Sequence, residues 1–297
     1  MKKALREFCA SINIEYVGIA GPGPYAELEE ILRRRRDRGH YTEFENSDLA
    51  LRCNPSLTLP DVRSVIVCLF PYYIGDRQGA NLSKYTFSQD YHLVARHKLE
   101  QIGQFLQERI PGFHYVAHTD TGPLVDRYLA YLAGVGFYGI NGHIITDKYG
   151  SYVFIGYLLN NYPFLPDKPQ QRTCYQCGRC VAACPGQIIL GDYSIDPRGC
   201  KSYLTQKKGE LTATELAIFR KTPLIFGCDV CQDVCPHNRH VQHTIITEFT
   251  EDVVFQLKLE ELTSLSNKEF TRRYGRHAFS WRGKKLLLRN LLYMEGI

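Results

Sequence analysis

The chain has 297 residues, of which 44% are hydrophobic and 23% charged, and its net charge is +5. This composition is typical of a globular protein and speaks against a disordered chain, while the length allows two domains. The mildly basic charge permits an anionic partner such as nucleic acid without requiring one. No run approaches the roughly 20 apolar residues that cross a bilayer, and the first residues lack a signal-peptide pattern. We therefore expect a cytoplasmic, monomeric protein with no membrane partner.

Strand-like and helix-like patterns alternate through the first half of the chain and predict an α/β domain. Helices are predicted where apolar residues recur at helical spacing, and strands where apolar and β-branched residues run together. The run from Ser64 to Phe70 is apolar at nearly every position, which predicts a strand buried on both faces. In chain order the predictions are strand 16–20, helix 25–38, strand 64–70, helix 92–110, strand 115–117, helix 125–133 and strand 152–159.

A segment marked by prolines, from Tyr162 to Pro169, follows the last of these strands and indicates a domain boundary near Pro166. A cysteine-rich stretch comes next. From Val254 onward the pattern is helical, with a strongly apolar run from Trp281 to Met294. The predicted division is therefore an α/β domain over 1–165, a cysteine-rich module over 166–240 and a short helical C-terminal segment over 241–297.

Eight of the eleven cysteines fall between Cys174 and Cys235 at the spacing of metal ligands. The first run, CxxCxxCxxxCP starting at Cys174, is the pattern of bacterial two-cluster ferredoxins, in which the fourth cysteine serves the other cluster. The second run, CxxCxxxCP starting at Cys228, is one cysteine short. Cys200 is the remaining cysteine in this stretch, and it completes the count.

Crossing the two runs assigns four thiolates to each of two [4Fe–4S] clusters, in a ferredoxin-like module. A pair of zinc sites is the alternative, because CxxC pairs also bind zinc, but zinc sites rarely combine CxxCxxC with two CysPro endings. The predicted ligands are Cys174, Cys177, Cys180 and Cys235 for the first cluster, and Cys184, Cys200, Cys228 and Cys231 for the second.

Motifs outside the cysteine runs extend over nearly the whole chain. They are Tyr16-Val17-Gly18-Ile19-Ala20, Arg52-Cys53-Asn54-Pro55, Asp90-Tyr91-His92, Asp120-Thr121-Gly122-Pro123, Asp126-Arg127, the glycine-rich run from Ala133 to Asn141, Cys200-Lys201-Ser202-Tyr203-Leu204-Thr205, and Phe226-Gly227-Cys228-Asp229-Val230-Cys231. On these motifs the chain resembles the epoxyqueuosine reductases, which are cobalamin-dependent iron–sulfur enzymes of tRNA modification related to reductive dehalogenases.

The resemblance implies a cobalamin bound by the α/β domain beside the second cluster. It also implies that the substrate is the epoxide-bearing wobble nucleoside in the anticodon stem-loop of certain tRNAs. Reducing that epoxide to the alkene of queuosine consumes two electrons and protons, which two clusters can deliver singly to a cobalt centre. An external donor, such as a flavodoxin or ferredoxin system, would supply the electrons.

The resemblance also implies roles for three side chains. Asp120 matches the family's acid and would protonate the departing epoxide oxygen, a role that requires a carboxyl kept protonated near neutral pH; the alternative is a turn aspartate that caps the following helix. Arg127, two turns along the predicted helix, would hold the modified base or a phosphate, against the alternative of a solvated arginine. Tyr91 would lie near the cobalt, or else be a half-buried aromatic residue.

The cobalamin contacts implied by the resemblance come from several separate segments. They are Arg52, Tyr91, Asp120, Ile144, Gln206, Cys231, Gln232, Asp233 and Val234.

Two basic clusters are candidates for contact with tRNA phosphates. For the run Arg33 to Arg36 we prefer the interpretation as a solvated helix face, because most runs of charged residues are exposed to solvent. For the C-terminal cluster we prefer the tRNA contact. Its members are Arg272, Arg273, Arg276, Arg282, Lys284, Lys285 and Arg289.

The chain departs from the family pattern at a few places. Longer members continue beyond the segment that matches Leu286 to Gly296, so the chain resembles a short form without most of a C-terminal helical-repeat domain. Ile140 and His237 stand where Lys and Trp are usual. Two other functions remain as alternatives: a reductive dehalogenase-like reductase of a small molecule, and a ferredoxin-type electron carrier.

Overall fold

The structure, a computed structural model, describes residues 1–296 and contains a mixed α/β fold built on one central sheet. The sheet has four strands in the order β1–β2–β6–β3, and every neighbouring pair runs antiparallel. A separate two-stranded hairpin pairs β4 with β5. The strands are β1 Tyr16–Ala20, β2 Ser64–Pro71, β3 Tyr115–Thr119, β4 Phe137–Tyr138, β5 Ile144–Ile145 and β6 Val153–Asn160.

Helices cover both faces of the sheet and build the rest of the chain. They are α1 Lys2–Ser11, α2 Ala26–Asp37, α3 Leu49–Cys53, α4 Tyr91–Gln107, α5 Asp126–Leu132, α6 Arg179–Ala183, α7 Lys201–Leu204, α8 Ala213–Phe219, α9 Val230–Asp233, α10 Leu259–Ser264, α11 Asn267–Tyr274 and α12 Lys284–Glu295. Among residues 1–296, none of these helices combines the length and apolar content that crossing a bilayer requires.

Strand β2 lies at the centre of two hydrophobic cores, and each of its residues is buried. Because side chains alternate across a strand, Ile66 and Phe70 pack against α1 and α4, whereas Val65 and Val67 pack against α2 and α5. The prediction of a strand buried on both faces is therefore confirmed. Its neighbours are antiparallel, however, although strands of this kind are most typical of parallel sheets.

A third core joins segments that are far apart in sequence. Phe87, which precedes α4, and Phe226, which precedes Cys228, pack against α11 and α12 through Phe270 and Leu287. The C-terminal helices therefore lie against both the α/β part and the cysteine-rich part of the chain. The division at residues 165 and 240 remains a prediction.

Candidate iron–sulfur centres and active site

The eight cysteines of the module gather into two separate groups. Cys174, Cys177, Cys180 and Cys235 line one pocket together with Ile140, whose backbone N–H donates to Cys174 Sγ at 3.3 Å. Cys177 is the exposed member of this group, and Cys180 is buried on α6, which packs against α9. We call these four residues the outer cysteine group.

The second group, here the inner cysteine group, consists of Cys184, Cys200, Cys228 and Cys231. Burial raises the pKa of Cys231 far above its usual value, and the charges of Cys228, Cys200 and Cys184 raise it further. Burial likewise raises the pKa of Cys235 in the outer group, and there the added charges come from Cys177 and Cys174. These electrostatic neighbours are compatible with the division of ligands expected from the spacing, which remains a prediction.

Burial and neighbouring thiols raise the pKa of Cys200, Cys228 and Cys231 in the inner group and of Cys180 and Cys235 in the outer group, so a bound cation would favour their thiolate forms. The donor set in each group is all sulfur, which suits an iron–sulfur cluster. The residues present therefore fit the two predicted clusters.

The loop that carries the inner cysteines is held against the sheet by buried hydrogen bonds. The carboxylate of Asp229 accepts from the backbone N–H of Lys84 at 2.8 Å and from the hydroxyl of Ser83. Gln232 is buried and donates to the carbonyl of Ser151 at 3.0 Å. Asp233 accepts from Lys84 Nζ at 2.6 Å. Gln232 and Asp233, two predicted cobalamin contacts, thus anchor the loop.

Asp120 follows β3 directly and has an exposed carboxylate, and we call the surface around Asp120, Tyr91 and His92 the cleft. The backbone of Asp120 has φ of 56°, in the left-handed region that residues other than glycine seldom adopt. Its Oδ2 accepts from the Tyr91 hydroxyl at 2.7 Å and lies 3.4 Å from His92 Nε2. The side chain is 61% exposed, so the carboxylate is held on one side and open on the other.

The charge state of Asp120 differs from the expectation of a protonated acid. Burial raises its pKa, but the contacts with His92 and Tyr91 outweigh burial and hold the pKa below its usual value. For His92, burial lowers the pKa, but Asp120 and Asp90 outweigh it and raise the pKa to about 9. The opposite pKa shifts favour an ionised Asp120 beside a protonated His92.

A second carboxyl group lies behind Asp120. Asp126 Oδ2 accepts from the backbone N–H of Asp120 at 3.1 Å, and Asp126 Oδ1 is buried without a hydrogen-bond partner among residues 1–296. Burial raises the pKa of Asp126 to about 8, and the charge of Asp120 adds to this effect. Two neighbouring carboxyl groups thus have pKa values shifted in opposite directions, as in many acid–base sites.

Arg127 does lie near Asp120, but the predicted reason was wrong. Helix α5 begins at Asp126, so Asp120 stands in a turn before the helix and not two turns back along it. Arg127 Nη1 donates to the carbonyl of Gly142 at 3.1 Å, and the guanidinium lowers the pKa of Asp120. Burial lowers the pKa of nearby His143 to about 3, and its Nδ1 is a further buried atom without a partner among the described residues.

Tyr85 connects the cleft to the inner cysteine group. Its ring centroid is 6.5 Å from that of Tyr91, whose hydroxyl donates to Asp120, and 6.4 Å from that of Phe226, which precedes Cys228 by two residues. Burial raises the pKa of Tyr85, and the charges of Asp120 and Cys200 raise it further. The cleft therefore adjoins the inner group, and the polar atoms without partners beside it suit a bound ligand.

The remaining predicted cobalamin contacts are spread around this region. Arg52 is paired with Glu45 at 3.0 Å, and Gln206 Oε1 accepts from Trp281 Nε1 at 3.0 Å. The side chain of Ile144 is buried in the core beside α5, so only its backbone is available for a ligand. Val234 packs among the cysteines.

Comparisons with known proteins agree on one family. Residues 52–121 match "Epoxyqueuosine reductase QueG, DUF1730", and residues 173–238 match "4Fe-4S double cluster binding domain". Epoxyqueuosine reductase from Staphylococcus aureus is 34% identical over 98% of this chain and 79% of its own length.

Solved structures of the same enzyme match as well. A crystal structure of epoxyqueuosine reductase with an epoxyqueuosine-modified tRNA stem loop aligns with a TM-score of 0.91, at 31% identity over 99% of this chain and 80% of that one. A structure of the Bacillus subtilis enzyme, with its catalytic aspartate loop swung out of the active site, aligns with a TM-score of 0.87. It is 30% identical over 99% of this chain and 80% of that one.

The chain belongs to the epoxyqueuosine reductase family. The predicted family, fold class and type of enzyme, an oxidoreductase, are thereby confirmed. So is the presence of a 4Fe–4S double cluster binding domain in this epoxyqueuosine reductase.

The basic clusters of this epoxyqueuosine reductase differ in how freely their charges are available. In the run 33–36, Arg33 and Arg34 pair with glutamates on α2, and Arg35 pairs with Glu45. In the C-terminal cluster, Arg273 pairs with Glu261, while Arg289 donates to the carbonyl of Lys207. Arg282 has no carboxylate partner among residues 1–296.

The sequence analysis missed three members of the cleft: His92, Asp126 and Tyr85. His92 and Asp126 both stood in motifs that carried the family resemblance, which was the available signal. Tyr85 had none, because it reaches the site from the loop between β2 and α4.

Proposed function

We propose that this chain reduces epoxyqueuosine to queuosine at the wobble position of tRNA, with two [4Fe–4S] clusters and a cobalamin as cofactors. The observation that carries the proposal is the open cleft at Asp120, which adjoins the inner cysteine group through Tyr85. A site for proton transfer thus lies next to a site for electron transfer. Such proximity is what reductive removal of an epoxide oxygen requires.

The cofactors divide the chemistry with the protein. When bound, the clusters supply electrons one at a time and cobalamin supplies the reducing centre. The cysteines of the outer and inner groups would hold the clusters. Cobalamin would be held by Tyr91, by the backbone at Ile144, by Gln206 and Arg52, and by the loop from Cys231 to Val234.

Removing the epoxide oxygen as water leaves an alkene and consumes two electrons and two protons. Asp120 is positioned to deliver a proton to the oxygen, since its carboxylate is open to the cleft on one face. Because the low pKa of Asp120 favours its ionised form, His92 would protonate Asp120 across the 3.4 Å contact before this step. Arg127 would hold the modified base or a neighbouring phosphate at the same opening.

An external one-electron donor would deliver electrons at the outer cysteine group, where Cys177 is exposed. The inner group would then relay the electrons from this surface toward Asp120. The electrons would therefore pass inward from Cys177 toward Tyr85. We propose that the chain works as a monomer.

The role of Asp120 is tested by Asp120→Asn in protein reconstituted with iron, sulfide and cobalamin. General acid catalysis typically contributes about 100-fold or more, so we expect turnover of an epoxyqueuosine-containing stem-loop to fall at least that much. Iron and cobalt contents and RNA affinity should stay at the parent level. A parent-like rate would remove Asp120 from the mechanism.

The cofactors are tested by metal analysis and the visible spectrum of protein prepared without oxygen. We expect about eight irons per chain, as two four-iron clusters require, and the spectrum of bound cobalamin. Zinc in place of iron, or failure to retain cobalamin, would contradict the proposed function.

A further inference from the structure

Three aromatic rings, which have no role in the proposed function, form a surface together with Arg282 of the C-terminal basic cluster. Phe44 packs edge-on against Tyr203 at 5.3 Å and against Trp281 at 5.9 Å between ring centroids. Phe44 is 42% exposed and Trp281 54% exposed. We call Phe44, Tyr203, Trp281 and Arg282 the aromatic platform.

The guanidinium of Arg282 lies on these rings. It is 3.9 Å from the centroid of Trp281 and 5.1 Å from that of Phe44. Among residues 1–296 it has no carboxylate partner, and its Nε is buried without any acceptor. A buried donor normally finds a partner in the complete assembly, so the arrangement indicates that an acceptor comes from a bound molecule.

The platform lies close to the cleft. Trp281 Nε1 donates to Gln206 Oε1 at 3.0 Å, just beyond the end of α7, and Tyr203 is part of α7. Ser202, the neighbour of Tyr203, partly offsets the raised pKa of Tyr85, and the Tyr85 ring lies 6.5 Å from that of Tyr91, which donates to Asp120. The platform is therefore linked to the proposed catalytic aspartate through α7, Tyr85 and Tyr91.

Exposed rings combined with an unpaired guanidinium suit one class of partner. Proteins that read single-stranded RNA stack unpaired bases on aromatic side chains and on arginine planes, and arginine also binds the adjoining phosphate. We propose that the aromatic platform stacks an unpaired base that neighbours the reacting nucleoside in the RNA loop, with Arg282 on its phosphate. This inference rests on the proposed function, because it takes the substrate to be part of an RNA loop.

The test measures binding of a fluorescein-labelled tRNA-Tyr anticodon stem-loop to reconstituted protein by anisotropy. A second RNA carries abasic sites in place of the two loop bases that flank the wobble position. Loss of base–aromatic stacking should raise the Kd of Trp281→Ala about tenfold for the intact loop. The abasic loop should bind the variant and the parent about equally, since it has no base to stack.

Arg282 and a matched arginine complete the design. Arg282→Lys keeps the charge but loses the planar contact, and Arg282→Ala should reduce the slope of log K against log salt by about one. Arg109→Ala is the control, because its guanidinium lies 3.9 Å from the Phe105 ring in the same geometry at the far end of α4. That variant should bind like the parent.

The possible outcomes separate the platform from the overall function. If Trp281→Ala loses affinity equally for both RNAs, or for neither, the proposed base stacking is wrong. The proposed function is judged separately, by turnover of the stem-loop by the parent protein. If Trp281→Ala keeps its RNA affinity and its iron but fails to retain cobalamin, the surface belongs to the cofactor and the inference is wrong. Trp281 is the single tryptophan of the chain, so its fluorescence gives a second readout. We expect quenching by the intact loop that the abasic loop does not reproduce.

Discussion

At the scale of residues, the active site depends on how one strained aspartate is held. Asp120 has a left-handed backbone, and two contacts keep it in place: the hydroxyl of Tyr91 on the carboxylate and Asp126 on the backbone N–H. A left-handed non-glycine residue persists only where its surroundings compensate for the strain. The geometry proposed for proton delivery therefore depends on these neighbours as much as on Asp120.

The contact between Asp126 and the backbone predicts a difference between two substitutions. Asp126→Ala removes the acceptor, so the Asp120 turn should relax and turnover at saturating RNA should fall about tenfold or more, with little change in KM. Asp126→Asn keeps an acceptor oxygen and resembles the protonated form that prevails below pH about 8. It should retain most of the activity at pH 7, measured as kcat on the same stem-loop. Equal rates for the two variants would show that Asp126 does not position Asp120.

The raised pKa of His92 predicts a pH-dependent contribution to stability. The folded protein keeps the His92 proton up to about pH 9, whereas an ordinary histidine loses it near 6.5. Its stabilising effect is thus complete below pH 6.5 and is lost as the pH rises through 9. Because the side chain is 34% exposed, solvent screening reduces the effect to about 1–2 kcal/mol.

His92→Gln should therefore be less stable than the parent in urea unfolding at pH 6, and the difference should disappear near pH 10. A difference of the same size at both pH values would mean that His92 contributes through packing and not through its charge.

At the scale of elements, short connections and not long helices carry the chemistry. The cysteines lie in loops and in helices of four or five residues, which cannot hold their geometry alone. The segment from Cys228 to Asp233 is instead fixed by side-chain contacts to the loop after β2 and to the region of Ser151. Cluster binding should therefore be sensitive to residues that are not ligands.

Asp229 offers a direct test of this dependence. Asp229→Ala leaves the Lys84 N–H and the Ser83 hydroxyl without an acceptor, which should lower the free energy of unfolding by about 2–3 kcal/mol. The inner cysteines should then fail to hold iron, so the iron content should drop from about eight to about four per chain. Asp229→Asn keeps one acceptor oxygen, so its iron content and its free energy of unfolding should lie between those of the parent and those of Asp229→Ala. Unchanged iron in the alanine variant would contradict this account.

At the scale of the whole molecule, the C-terminal helices complete the cysteine module. Asn290 on α12 is fully buried, and its Nδ2 donates to the carbonyls of Thr205 at 2.7 Å and Ile225 at 2.8 Å. Both carbonyls belong to the segment that connects Cys200 to Cys228. The three parts of the chain should therefore unfold together.

Asn290→Ala should destabilise the protein by about 2–3 kcal/mol, because it leaves two buried carbonyls without donors. The loss should appear as a lower midpoint of one cooperative urea transition, followed by both far-UV circular dichroism and cluster absorbance. Lys285→Ala, at an exposed position of the same helix, should leave the midpoint unchanged. Separate transitions for the two signals would show that the parts unfold independently.

The amino-acid sequence by itself determined the features that depend on local pattern and spacing. The predicted strand 16–20 coincides with β1, and the strand at Ser64 is one residue longer than predicted. Apolar runs report burial directly, and the CxxCxxC spacing restricts ligands whatever the surrounding fold. The assignment of the eight cysteines to two sets of four thus rests on spacing alone, and it remains a prediction.

Only the tertiary structure decided which residues meet across the chain. Three features depend on partners distant in sequence: the antiparallel order of the sheet, the opposite pKa shifts of His92 and Asp120, and the lack of a carboxylate partner for Arg282 among residues 1–296. The charge state of a side chain and its availability to a ligand depend on its burial and on the sign of neighbouring charges. Neither can be predicted from the local sequence.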